Sequence, residues 1–152
     1  IGLLWERGVR PRVFVFGTED PPGLPFPYEF VGVAPPARLA RLYNEVTVGI
    51  ALSLTNYSLV PLEMLACGLP CVDVAGGSLE RELGHDAGVV YAEAQPEALA
   101  EALSSLLRLP AASFRHYSAA GALATRALSW ETAARRFTDT LVTTPEPPRA
   151  DP

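Results

Sequence analysis

The stretch from Val48 to Val74, VGIALSLTNYSLVPLEMLACGLPCVDV, decides how this chain of 152 residues folds. Residues 48–52 form a short apolar run, which predicts a strand buried on both faces, as in a parallel sheet. A polar, irregular segment follows at 53–57, and apolar residues then recur with helical spacing from Ser58 to Cys67. Residues 71–74 form another short strand. The stretch therefore predicts a strand, a polar loop, a helix and a further strand.

The same alternation of short strands and amphipathic helices continues on both sides of this stretch. We predict strands at 13–16, 30–31 and 89–91, and helices within 1–8, from Pro35 onward, and at 79–83, 96–108, 111–127 and 130–142. This order is typical of an α/β fold with a Rossmann-like, doubly wound parallel sheet and helices on both faces. We expect one domain over residues 1–142 and a disordered, proline-rich tail over 143–152.

The composition argues against several classes of protein. The net charge is -5 and all twelve basic residues are arginines that form no basic patch, so nucleic-acid binding is a poor interpretation. No apolar run reaches the ~18 residues of a membrane span, and the sequence from Ile1 lacks the basic segment of a signal peptide. We therefore expect a cytoplasmic location. Cys67 and Cys71 have no zinc-ligand partners at suitable spacing and are interpreted as free core thiols.

The polar segment after residue 52 is the best candidate for a binding site. In open α/β sheets, ligands bind beyond the carboxyl ends of the strands. The free N–H groups at a helix start carry partial positive charge and suit a phosphate or diphosphate. Ser58 is the predicted N-cap, and Pro61 falls in the first turn. On this pattern alone, a helix start that is merely capped by Ser58 remains the simpler interpretation.

From Phe30 to Gly77 the chain resembles the donor-binding domain of GT-B glycosyltransferases of the GT4-like family. The matching segments, in order, are Phe30–Val33, Leu39–Tyr43, Val48–Ser53, Leu62–Val72 (LEMLACGLPCV), Gly76–Gly77, Val89–Val90 and Ser129–Glu131. The resemblance extends to about residue 142. It implies the C-terminal, nucleotide-sugar-binding half of an enzyme that moves a sugar from a nucleoside diphosphate-sugar to a glycan or other acceptor.

The family's Glu-x7-Glu pattern matches this chain at only one of its two positions. Glu63 matches the second glutamate, which by the resemblance holds the ribose hydroxyls; a solvated helix carboxylate is the alternative. The first glutamate falls at Thr55, so a neutral hydroxyl replaces a carboxylate beside the reacting carbon. The segment Thr55–Ser58 is similar to that of a subgroup of bacterial rhamnosyltransferases, which implies a deoxysugar donor such as dTDP-rhamnose.

The resemblance also implies which other residues contact the donor. Asn56, Tyr57, Ser58 and Leu59 would lie at the diphosphate and sugar, and the turn Gly32–Val33–Ala34 would approach the base through its backbone, unless it is a plain strand-to-helix turn. The donor would carry dTDP, UDP or GDP. The sequence has no Asp-x-Asp motif, and we expect no metal and no other cofactor.

The family's donor domain usually opens with a strand and a basic loop that would precede Ile1, and the acceptor domain would also precede it. The sequence from Ile1 lacks that first strand, which lies in the middle of the family's sheet, so unpaired edges would be exposed unless residues before Ile1 in a longer protein supply it. We expect a homo-oligomer or a partner chain to cover them, and attachment at the inner membrane face, if any, to occur through the acceptor domain. A non-catalytic nucleotide-binding or interaction module and a sugar-nucleotide epimerase-like enzyme are the alternative functions.

Overall fold

A computed structural model describes residues 1–54 and 58–143, except for the side chain of Thr143. Strands and helices alternate through this part of the chain, as the sequence predicts. The elements are α1 (Gly2–Glu6), β1 (Phe14–Phe16), β2 (Glu29–Gly32), α2 (Pro36–Glu45), β3 (Gly49–Ile50), α3 (Val60–Ala66), β4 (Cys71–Val74), α4 (Ser78–Leu83), β5 (Val89–Ala92), α5 (Pro96–Leu107), α6 (Ala111–Thr125) and α7 (Trp130–Thr143). Apart from the end of α7, the expected tail lies outside the described residues.

The predicted α/β fold with parallel strands is confirmed, but the strands form two sheets. One sheet consists of β1 and β2, and the other has the order β3–β4–β5. Every pairing in both sheets is parallel. The predicted single sheet is therefore interrupted between β1 and β3.

The interruption is an apolar space that we call the inter-sheet slot, lined by Phe14 and Phe16 of β1 and by Gly49 and Ile50 of β3. It includes a cavity of about 400 Å³. Within the part of the chain that the structure describes, β1 is paired only with β2, and β3 only with β4, so each of the two strands has one edge without a strand partner. The same two strands line the slot, which indicates that these unpaired edges lie along it.

Two hydrophobic clusters lie on opposite faces of the β3–β5 sheet. One cluster joins α1 and α5 to the sheet through Leu4, Val72 and Leu106. The other joins α2, α3 and α4 to it through Tyr43, Cys71 and other buried side chains. Successive β4 residues serve opposite clusters because side chains alternate along a strand. The helices on both faces that the sequence predicts are thereby confirmed.

The strand β3 is shorter than the predicted run of residues 48–52. It extends only over Gly49–Ile50, and Leu52 is 53% exposed. Among the described residues β3 has a strand neighbour on one edge only, and its regular hydrogen bonds to β4 end with the Ala51 amide, which donates to Val72. Gly49 itself is required by close packing, since a Cβ there would overlap the Met64 sulfur of α3.

The remaining elements follow the predicted bounds within two residues. The two cysteines are free, with Cys71 buried and Cys67 partly buried, as expected. None of the helices within residues 1–54 and 58–143 is long and apolar enough to cross a membrane.

Candidate functional site

The candidate site lies at the carboxyl rim, by which we mean the segments that follow β3 and β4: residues 51–59 and 75–77. Three of the predicted site residues, Thr55, Asn56 and Tyr57, lie outside the described residues. Of their neighbours, Ser58 is partly buried and Leu59 is 51% exposed. Both precede α3 directly, at the end of the segment that leaves β3.

The helix α3 begins one residue later than predicted. Leu59, not Ser58, takes the N-cap position, because its carbonyl accepts the first hydrogen bond of the helix, from the Glu63 amide at 3.0 Å. Its backbone angles (φ -78°, ψ -21°) are already helical, unlike those of an ordinary N-cap. A capping side chain accepts a hydrogen bond from the second or third helical amide. The Ser58 hydroxyl instead accepts one from Val60, the first helical residue, at 3.3 Å. Pro61 lies in the first turn, as predicted, and is buried.

Glu63 lies in the first turn of α3 with an exposed side chain. Its carboxylate is close enough to Tyr43 of α2 to affect the phenol: burial, and then the charge of Glu63, raises the pKa of Tyr43 to about 12. Burial and the same charge also raise the pKa of Cys67. Tyr43 therefore stays neutral at physiological pH. The Glu63 carboxylate is thus accessible to a ligand and lies beside the buried phenol of Tyr43.

A second cavity of about 400 Å³ lies beside Glu63, between α3 and the junction of α6 and α7. Leu59 and Glu63 line one side, and Trp130 and Arg136 line the other. The lining therefore offers apolar and aromatic surface, a carboxylate and a guanidinium. Trp130 is 80% exposed, so its ring is available to a ligand or to another chain.

Asp73 of β4 lies at the carboxyl rim with none of its surface exposed. Its Oδ1 accepts hydrogen bonds from the Ser53 amide at 2.9 Å and from the Val74 amide at 2.7 Å. The carboxylate therefore connects the end of β3 to β4. Asp73 was not among the predicted donor-binding residues, because sequence alone does not show that its side chain bonds a backbone amide twenty positions away.

The turn after β4 is held by a second carboxylate. The Gly76 amide donates to Glu80 Oε2 at 2.5 Å, and the other oxygen of Glu80 lies 3.4 Å from His85 Nε2. The His85 ring also meets Tyr91 edge-on, with 5.8 Å between the ring centroids. Glycine, glutamate and histidine at these spacings carry no recognisable sequence signal, and sequence reasoning missed this contact.

The turn predicted to approach the base follows β2. Gly32 ends this strand with φ +72°, a conformation that favours glycine, and its carbonyl accepts a hydrogen bond from Gly17 at 3.0 Å. Val33 is 67% exposed, and Ala34 is partly buried. This turn belongs to the β1–β2 sheet. Glu63 lies on α3, which packs against the β3–β5 sheet, and the inter-sheet slot lies between the two sheets.

The comparison with family models identifies the chain. Residues 12–109 match the family described as glycosyl transferases group 1. Because the match covers well over half of the chain, the protein belongs to this family. The resemblance to GT-B glycosyltransferases is thereby confirmed. A search of curated protein sequences finds no match.

Solved structures with a similar fold include two larger proteins. Sucrose-phosphate synthase from Thermosynechococcus elongatus superposes with a TM-score of 0.72 at 24% sequence identity, over 86% of this chain and 38% of that one. HepE from Anabaena, solved in complex with UDP, gives a TM-score of 0.60 at 18% identity, over 77% of this chain and 32% of that one. The chain therefore shares the fold of part of each protein and spans less than two-fifths of their length.

Proposed function

We propose that this chain is the nucleotide-sugar-binding domain of a glycosyltransferase, extending over residues 1–142. The observation that carries the proposal is the family match, which spans the polar segment after β3 and the whole of α3 with Glu63. The structure of HepE holds UDP, so a nucleoside diphosphate is bound by a protein of similar fold. The reaction would move a hexosyl or deoxyhexosyl group to a glycan or lipid-linked acceptor.

The donor would lie at the carboxyl rim. Residues 56–59 would face the diphosphate and the sugar, and Glu63 would accept hydrogen bonds from the ribose hydroxyls. The exposure of Leu59 and Glu63 supports this arrangement. The backbone of residues 32–34 would contact the base. The nucleoside diphosphate would be held without a metal, and donors carrying dTDP, UDP or GDP are all compatible with these contacts.

Titration calorimetry with dTDP, UDP and GDP tests this assignment. We expect one nucleotide to bind selectively, and Glu63→Ala to weaken its binding by about 1–3 kcal/mol, because a charge-assisted hydrogen bond to a hydroxyl is lost. Glu97→Ala is the matched control, since Glu97 also lies in the first turn of an α-helix and is exposed. Equal loss in both variants, or no binding by the wild type, contradicts the assignment.

Thr55 favours a second candidate, a non-catalytic nucleotide-binding module. A threonine at this position would give no negative charge beside the reacting carbon. Binding of a nucleotide without transfer or hydrolysis of any sugar, even with an acceptor domain joined to the chain, would support the module. Transfer of rhamnose from dTDP-rhamnose would instead support the rhamnosyltransferase subgroup. The acceptor domain would also set the location, in the cytoplasm or at the inner membrane face.

We propose that a second copy of this chain binds at the inter-sheet slot and covers its unpaired strand edges. The slot offers the unpaired edges of two strands and an apolar lining, and Ile50 within it is 44% exposed. Unpaired strand edges readily pair with another chain. Sedimentation equilibrium should show self-association that Ile50→Lys abolishes and that Val142→Lys, at a valine 78% exposed on α7, leaves unchanged. A wild type that stays monomeric at every concentration contradicts this proposal.

A further inference from the structure

The hydrogen-bond ladder between β3 and β4 changes its acceptor at Ser53. The two preceding bonds run from Gly49 N to Pro70 O and from Ala51 N to Val72 O, each 2.9 Å. In a regular parallel ladder the next amide, that of Ser53, would donate to the carbonyl of Val74. It donates instead to the side chain of Asp73, at 2.9 Å. A carboxylate therefore supplies the last acceptor of this ladder, and the chain leaves the sheet at this point.

The same oxygen of Asp73 also accepts from the Val74 amide at 2.7 Å. The amides of Ser53 and Val74, which would have no strand partner where the ladder ends, thus share Asp73 Oδ1 as their acceptor. Hydrogen bonds to a carboxylate are shorter and stronger than those to a neutral carbonyl. Asp73 therefore fixes the backbone at the one place where β3 passes into the polar segment before α3.

Two buried oxygen atoms of Ser53 and Asp73 have no hydrogen-bond partner within residues 1–54 and 58–143. They are Asp73 Oδ2 and the Ser53 hydroxyl oxygen. Asp73 is fully buried and Ser53 is 8% exposed. A buried polar atom that lacks a partner is costly, and most such positions are apolar. A carboxylate at this position is therefore poorly explained by packing alone.

We propose that Asp73 is a positioning residue for donor binding. By holding the Ser53 amide, it fixes where the chain leaves β3 at the carboxyl rim, which is where the donor is proposed to bind. The proposal rests on the proposed function, because it assigns the donor to the segment that Asp73 anchors. It also gives Asp73 a role that requires a hydrogen-bond acceptor and does not require a negative charge.

Amide hydrogen exchange, measured by NMR on the full chain, tests the anchor directly. Asp73→Asn keeps a carbonyl oxygen as the acceptor, and we expect the Ser53 amide to exchange at the wild-type rate within about threefold. Asp73→Leu keeps the branching of the side chain at Cγ but has no acceptor, and we expect the exchange of Ser53 to accelerate by about 10- to 100-fold. Asp86→Leu, at an exposed aspartate, is the control and should leave that rate unchanged. An unchanged Ser53 rate in Asp73→Leu overturns the proposal.

Nucleotide binding by the same variants separates positioning from simple stabilisation. We expect Asp73→Leu to weaken the binding of the selected nucleoside diphosphate about tenfold or more and Asp73→Asn to restore it, at a temperature where both variants are folded. Faster exchange with unchanged affinity overturns the positioning role, because the anchor would then be structural only. If the wild type binds no nucleotide, the proposed function fails and the role toward a donor fails with it, while the exchange rates still report whether the anchor exists.

Discussion

The two sheets of this molecule bury their strands to very different degrees. In β4, Cys71, Val72 and Asp73 have none of their surface exposed. In β1, all three residues are only partly buried, and β2 begins with two exposed residues. Yet β1, with the sequence Phe-Val-Phe, is wholly apolar, whereas β4 contains a carboxylate.

The difference lies in the neighbours of each strand. β4 has strands on both edges and packs against α3 and α5. β1 has a strand on one edge, and its other edge faces the inter-sheet slot. Burial of a strand in this chain therefore depends on complete lateral pairing more than on its own hydrophobicity. Two measurements can test or sharpen this comparison.

The largest expected effect comes from matched leucine truncations, one in each region. Leu65 of α3 is fully buried against the β3–β5 sheet, while Leu24 lines the slot on the β1–β2 side and is 37% exposed. We expect Leu65→Ala to lower the free energy of unfolding by about 2–5 kcal/mol and Leu24→Ala to lower it by less than ~1 kcal/mol. Urea denaturation measures both values. Similar losses would show that the slot is as tightly packed as the core.

A smaller effect concerns Tyr43, the aromatic side chain that connects the two regions. Its ring packs edge-on against Phe16 of β1, with the centroids 5.9 Å apart, and it also belongs to the cluster around α3. Burial and the charge of Glu63 raise the pKa of Tyr43 from 10.0 to about 12. The folded state therefore favours the neutral phenol, and the stability that this preference adds is complete below pH 10. That contribution is lost as pH rises from 10 to 12, and it amounts to about 2–3 kcal/mol.

Urea midpoints between pH 9 and 12 measure this loss. Tyr43→Phe should flatten the decline, though not remove it, because burial and the charge of Asp73 also raise the pKa of the Cys71 thiol from 9.0 to about 12. Cys71→Ala is the companion variant, and the double variant should keep only a smaller decline, because burial and the charge of Glu63 also raise the pKa of Cys67. A wild-type decline that both variants retain would mean that another group controls alkaline unfolding.

The sequence predicts the buried elements of this chain well and the polar connections poorly. The strand Cys71–Val74 and the helix Pro96–Leu107 agree with the predicted segments because a short strand rich in valine and a helical periodicity each require only local information. The α/β class and the parallel strands follow from the alternation of strands and helices along the chain. The residue patterns alone do not indicate the interruption between β1 and β3, but its unpaired edges agree with the expectation, drawn from the family resemblance, of a sheet without its first strand.

The candidate site shows the same division. The exposed position of Glu63 in the first turn of α3 agrees with its predicted role, which stays a prediction until a nucleotide is titrated. The N-cap was assigned to Ser58 instead of Leu59, because the residue types do not show which carbonyl accepts the first hydrogen bond of the helix. The ladder bond to Asp73 joins two segments twenty positions apart, and no spacing in the sequence indicates it.

The close packing of Met64 against Gly49 gives this protein an internal reporter of core opening. Met64 is the only methionine in the chain, and it is 2% exposed. Peroxide converts an accessible thioether into a polar sulfoxide, and each molecule of this protein can gain one oxygen atom in this way at one methionine. The rate of sulfoxide formation at Met64, located by fragmentation so that oxidation of the two free thiols is counted separately, therefore reports how readily α3 separates from β3.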